Sequence, residues 1–152
     1  RGVRLAPFTV EHADYLFNDL YADALQRGDT ALAARTGAAF LTHLDAALDF
    51  AEGLSVETFG REVPQTLLLH ANALNAAYLG ATLDRLAARG YRFVTLEEAA
   101  ADPAYGSPDG YTERFGVSWL HRWRAGRGLP SRLRDEPDPP AWILEALDAR
   151  GQ

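Results

Sequence analysis

The sequence predicts an α/β fold built on parallel strands, and three observations predict it. Short apolar runs alternate with long segments of helical periodicity, which is the grammar of strand, crossover helix and strand. The run Thr66-Leu67-Leu68-Leu69 is continuous and apolar, as a strand buried on both faces should be. Gly28, Gly53 and Gly90 close the helical segments, while Gly37 falls in the middle of one.

Taken in order, Val3 to Ala6 reads as a short strand that ends at Pro7. Thr9 then offers an N-cap for a helix from about Glu11 to Gln26, where Ala13, Leu16, Phe17, Leu20 and Ala24 recur at helical spacing. Gly28-Asp29 supplies a stop and a new cap. A second long helix carries Leu32, Phe40, Leu44 and Leu48 and is expected to end near Gly53. Thr66 to Leu69 is the next strand, ended by His70, and Asn72 or Asn75 caps a helix that stops at Gly90. Tyr91 to Thr95 reads as a strand and Leu96 to Ala101 as a short helix. Beyond Asp102 the texture turns to Pro, Gly and Asp, with a Trp-rich helical turn from about Val117 to Arg124, a Pro-rich link at Glu136 to Pro140 and a last helix to Arg150. Residues 1–152 are read as a single domain fragment, with 102–152 as a tail packed on 1–101.

The chain has 152 residues, 47% of them hydrophobic, enough for one compact core. No apolar stretch is long enough for a membrane helix, and no basic segment followed by an apolar one marks a signal peptide. The sequence holds no Met, and the natural N-terminus is therefore expected to lie upstream of Arg1. With no Cys, disulfides, thiolate metal sites and cysteine nucleophiles are excluded. All 15 basic residues are Arg, the net charge is −6, and no basic stripe with interleaved aromatics occurs, which argues against nucleic acid as a partner. A neutral or partly cationic glycan is electrostatically acceptable.

His70 is the most informative residue, because it ends an apolar strand, where parallel α/β folds place their reactive groups. Its imidazole titrates near neutrality and can give or take a proton. A rim histidine bonded to backbone would occupy the same position. Trp119 and Trp123, four apart on one helical face, offer either a sugar platform or core packing. Asn72 and Asn75 fit helix capping or substrate contact, and Arg61 and Glu62 fit a saccharide contact or an exposed charge pair.

The segment Pro64-Gln65-Thr66-Leu67-Leu68-Leu69-His70-Ala71-Asn72 resembles the final active-site motif of the polysaccharide deacetylases of the nodulation-protein type, carbohydrate esterase family four. Pro7 to Asn18, with Asp14 followed by Tyr15, resembles the preceding motif of that family, and Ala88 to Leu96 resembles its closing helix-to-strand segment. The resemblance implies that residues 1–101 are the C-terminal portion of a deformed (β/α) barrel of the glycoside hydrolase/deacetylase type. It implies a general acid at His70, an orienting carboxylate at Asp14, an acetyl-methyl pocket wall at Leu68 and a sugar-groove wall at Tyr15, which stands where the family often has Trp. It also implies a divalent metal, zinc or similar, held by an Asp and two His. The sequence here contains no Asp-Asp pair and no His-x3-His segment, and so the metal site is expected outside this chain, which by itself would be inactive. The implied substrate is an acetylated polysaccharide or oligosaccharide in the periplasm or outside the cell. A non-catalytic domain, binding glycan or contacting a partner through its Ala-rich helices, is the alternative. An α/β hydrolase with a nucleophile elsewhere is disfavoured by the lack of a Gly-x-Ser-x-Gly elbow.

Overall fold

The computed structural model describes residue 2 and residues 5–149. It is a mostly helical structure of the helical-bundle class, which corrects the α/β barrel expected from the sequence. Six α-helices follow one another among the described residues: α1 (Asp14–Gln26), α2 (Thr30–Phe59), α3 (Ala73–Ala88), α4 (Leu96–Ala100), α5 (Trp119–Gly126) and α6 (Ala141–Asp148). Two short 3-10 turns lie at Pro103–Gly106 and Leu133–Asp135.

Among the described residues, strand pairing is confined to one parallel bridge between Val10 and Leu67. Thr9 and Val10 both donate to the Thr66 carbonyl, at 2.9 and 3.2 Å, and the Leu68 N–H returns to the Val10 carbonyl at 3.0 Å. Thr66 to Leu69 is only half-buried, and Tyr91 to Thr95, expected as a strand, forms no ladder and leaves Phe93 57% exposed. Without apolar burial and a third partner, an extended segment has little to hold it in a sheet. Of the strand expected at Val3 to Ala6, Val3 and Arg4 lie outside the described residues, and Leu5 and Ala6 are not in a strand. The expected end of the last helix at Arg150 also lies outside them.

The chain divides into two compact units interleaved in sequence. The first comprises Arg1–Glu11, Ala47–Leu68 and Phe93–Glu136. Its centre is Trp123, fully buried, with the rings of Tyr105, Phe59 and Trp119 at 5.0, 5.9 and 5.9 Å. Trp123 is thus a core residue and cannot offer a sugar platform. Tyr105 Oη donates to the Pro64 carbonyl at 2.9 Å and lies 2.8 Å from Thr66 Oγ1, which fixes the segment leading to the bridge. Arg61 pairs with Asp102 at 2.6 Å rather than with the carboxylate of Glu62.

The second unit comprises His12–Ala46, Leu69–Arg92 and Pro137–Gln152. Phe17, Leu20, Tyr21 and Ala24 recur at three- and four-residue spacing and form one buried face of α1, packed with Ala33 and Phe40 of α2, Leu74 of α3 and Ile143 of α6. Each fully buried large side chain of this kind contributes roughly 1.5–3 kcal/mol. Gly37, in the middle of α2, lets the Tyr78 ring of α3 approach so closely that a Cβ there would collide with it. The helix continues past Gly53 because buried positions persist at helical spacing through Leu54, Ser55 and Thr58, and it ends at Gly60, whose φ is 74°.

Helix starts differ from expectation at α1. Its N-cap is Ala13, in the left-handed region with φ 52°, while Thr9 Oγ1 accepts from the Thr66 N–H at 2.7 Å instead of capping. Asp29 caps α2 as expected, accepting from Leu32 N at 2.9 Å. Asn72 caps α3, accepting from Asn75 N at 2.8 Å. Replacing Asn72 by Ala is therefore expected to cost about 1 kcal/mol in chemical denaturation, and Asn72→Ser only a few tenths of that.

Candidate functional site

The candidate site lies wholly within the second unit, at the N-terminal ends of α1 and α3. Asp14 is the first residue of α1 and its side chain is 2% exposed. The left-handed turn at Ala13 sets the direction in which the helix begins, a conformation that costs an L-residue about 1–2 kcal/mol. A buried carboxylate must have its charge met by donors. Asp14 Oδ1 lies 2.6 Å from His70 Nδ1. Its Oδ2 accepts from the His70 backbone N–H at 2.9 Å, from the Asn75 side-chain amide in a short contact, and more weakly from Asn72 Nδ2 at 3.4 Å.

Burial by itself would raise the Asp14 pKa. The hydrogen bonds from the His70 N–H, the His70 ring and the Asn75 amide outweigh it and hold the carboxyl below its ordinary range. Its position in the first turn of α1 acts in the same direction. Asp14 is thus a fixed anion at neutral pH. It requires the neutral form of His70 to carry its proton on Nδ1.

The His70 side chain is half exposed, and among the described residues Nε2 has no protein partner. The ring borders an open depression of about 730 Å³ lined by Leu69, Ala71, Asn72, Ala73, Ala76 and Leu79 in addition to His70 and Asn75. Tyr15, 50% exposed, stands edge-on to His70 with ring centroids 6.1 Å apart. The sequence-derived residues His70, Asp14 and Tyr15 therefore come together. Leu68 falls in the first unit, half-buried, and the lining beside His70 is supplied by Leu69 and Leu79 instead.

Two residues have roles that the sequence reading missed. Asn75, read as a helix cap or substrate contact, is buried, 8% exposed, and its amide serves Asp14 and the His70 carbonyl (2.8 Å) instead. Its position was a signal, since Asn is a poor helix former in a first turn already capped by Asn72. His12 is the other. It is 2% exposed, lies edge-on to Phe40 at 5.2 Å, and neither ring nitrogen has a hydrogen-bond partner among the described residues.

Among the described residues no group of three or more His, Asp or Glu side chains could hold a metal ion. Asp14 is bonded to His70, Asn75 and Asn72. No described helix is long and apolar enough to cross a membrane. Scans against family models, curated proteins and solved structures found no match to this chain.

Burial lowers the His12 pKa from 6.5 to about 4, against a smaller opposing pull from Asp14. Burial lowers that of His43 as well, with Asp138 opposing. An unfolded chain takes up these protons below pH 6.5 while the folded chain does not, so stability is full above pH 6.5 and falls on acidification. For His12 the loss is roughly 3 kcal/mol by the time pH reaches its folded value. Asp14 acts in a separate window, below its ordinary value of 3.8. A His12→Phe variant, unfolded with urea at pH 7 and pH 4, is expected to lose much of the pH dependence between the two. An equal slope in variant and parent would contradict this account of His12.

Proposed function

We propose that His70 is the general acid of a hydrolase that removes N-acetyl or O-acetyl groups from a polysaccharide or oligosaccharide. The observation that carries this reading is the division of labour on one imidazole: Nδ1 is held by a buried carboxylate while the half-exposed ring, with no described partner on Nε2, borders an open depression. This is the arrangement a proton donor needs, because the acid must be oriented on one side and accessible on the other. The resemblance of the segments around Asp14 and His70 to the polysaccharide deacetylases supplies the substrate class. The reading stands on that pair and not on any barrel.

In the step assigned to these residues, the tetrahedral adduct at the acetyl carbon collapses and its bond to the sugar nitrogen or oxygen breaks. The electron pair stays on the sugar atom, which takes the proton from His70 Nε2. The ring remains as the Nδ1–H tautomer bonded to Asp14. Tyr15 offers an aromatic wall beside the acid against which a pyranose face can rest. Activation of the attacking water is not assigned to any residue of the site. In this reading it belongs to a divalent ion, zinc or similar, held elsewhere in the protein, as the resemblance implies.

Acetate release from acetylated oligosaccharides by the full encoded protein tests the reading. A folded His70→Ala variant is expected to lose roughly a hundredfold to ten-thousandfold in kcat. Unchanged kcat in that variant, or glycan binding by the parent with no hydrolysis at any divalent metal supplied, would overturn it in favour of a non-catalytic glycan-binding domain. The 152 residues alone are expected to release no acetate.

A further inference from the structure

We infer that Asn75 is the positioning residue of the His70–Asp14 pair, an assignment that rests on the reading of His70 as an acid only for its consequence in catalysis. The geometry stands without it. Asn75 Nδ2 carries two protons, and the structure gives each a use: one donates to Asp14 Oδ2 and the other to the His70 carbonyl oxygen at 2.8 Å. One amide therefore ties the carboxylate to the backbone of the very residue whose ring it orients.

The physical need for such a tie comes from the Asp side chain. Its last torsion is soft and roughly two-fold, so a carboxylate held at one oxygen can rotate and present the other. At Asp14, Oδ2 is fixed by the His70 N–H at 2.9 Å and by Asn75, which leaves Oδ1 to face Nδ1 at 2.6 Å. Asn72 reaches the same oxygen only at 3.4 Å and is already the N-cap of α3, accepting from Asn75 N. Both amide protons of Asn75 are engaged and the residue is 8% exposed, so it has no donor to offer a substrate. Without it, Oδ2 loses a charge-assisted donor, the carboxylate turns, and the Nδ1–H tautomer of His70 loses its preference.

The test reads the ring nitrogens of His70 by 15N NMR in the 152-residue chain, without substrate. In the parent the neutral ring is expected to be mainly the Nδ1–H tautomer. In Asn75→Ala the ratio of Nδ1–H to Nε2–H is expected to fall by about tenfold, the effect of losing one hydrogen bond to a charged group. Asn75→Leu is a second variant that keeps the volume and removes the donor without adding a charge beside Asp14; it is expected to fall as far. Asn72→Ala loses the helix cap but keeps the Asn75 amide, and its ratio is expected to stay within about twofold of the parent. An unchanged ratio in the folded Asn75 variants, or an Asn72→Ala fall as large as that of Asn75→Ala, would overturn the assignment. Because no turnover is involved, a protein that releases no acetate but shows the tautomer shift upholds the clamp while sinking the deacetylase reading.

Discussion

The candidate site is organised by the need to keep one charge out of water. Asp14 is a carboxylate whose side chain is 2% exposed, and an uncompensated charge there would cost several kcal/mol or be lost to protonation. It remains ionised because the start of α3 and residue 70 turn donors toward it. Meeting that demand fixes several features at once. The chain turns through a left-handed residue at Ala13 before α1 begins, His70 is drawn in by both its N–H and its ring, and the first turn of α3 spends an Asn on its interior side.

The packing of the second unit supports this from beneath. Phe17 and Phe40 meet edge-on at 6.0 Å, Phe40 also meets His12, and Leu74 seats the start of α3 against the same core, its N–H bonded to Asn18 Oδ1 at 3.2 Å. The polar site thus adjoins a buried aromatic cluster, with the His70 side chain half exposed. The uncapped histidine in that floor, His12, is the cost: its ring fills space as an aromatic would, but it makes the unit acid-sensitive. Which nitrogen of His70 carries the proton in the neutral ring follows from the Asp14 carboxylate beside Nδ1.

The site was more legible in the sequence than the fold. Asp14 and His70 lie 56 positions apart, yet the order of the segments around them suggested their contact, because an imidazole acid needs an orienting carboxylate. The helices were legible from periodicity, and α1 and α3 fall within a few residues of expectation. The strands were not. A short apolar run such as Thr66 to Leu69 has no period to distinguish a buried strand from a half-buried connector, and Tyr91 to Thr95 has β-forming residues but takes part in no strand. Gly53 misled for a related reason: a helical Gly costs about 1 kcal/mol, which the burial of Leu54 alone offsets. Asn75 was legible only as a helix cap or a substrate contact, since nothing in the spacing reveals that a helix start will face a buried charge.

The most direct measurement is a double-mutant cycle between Asp14 and His70, using Asp14→Asn and His70→Gln and the free energy of unfolding at pH 7. A carboxylate held between the His70 ring and the Asn75 amide requires the two substitutions to be non-additive, with a coupling of about 1–3 kcal/mol. Strict additivity, within about 0.3 kcal/mol, would show that the pair does not act as a unit and would contradict the account at its base.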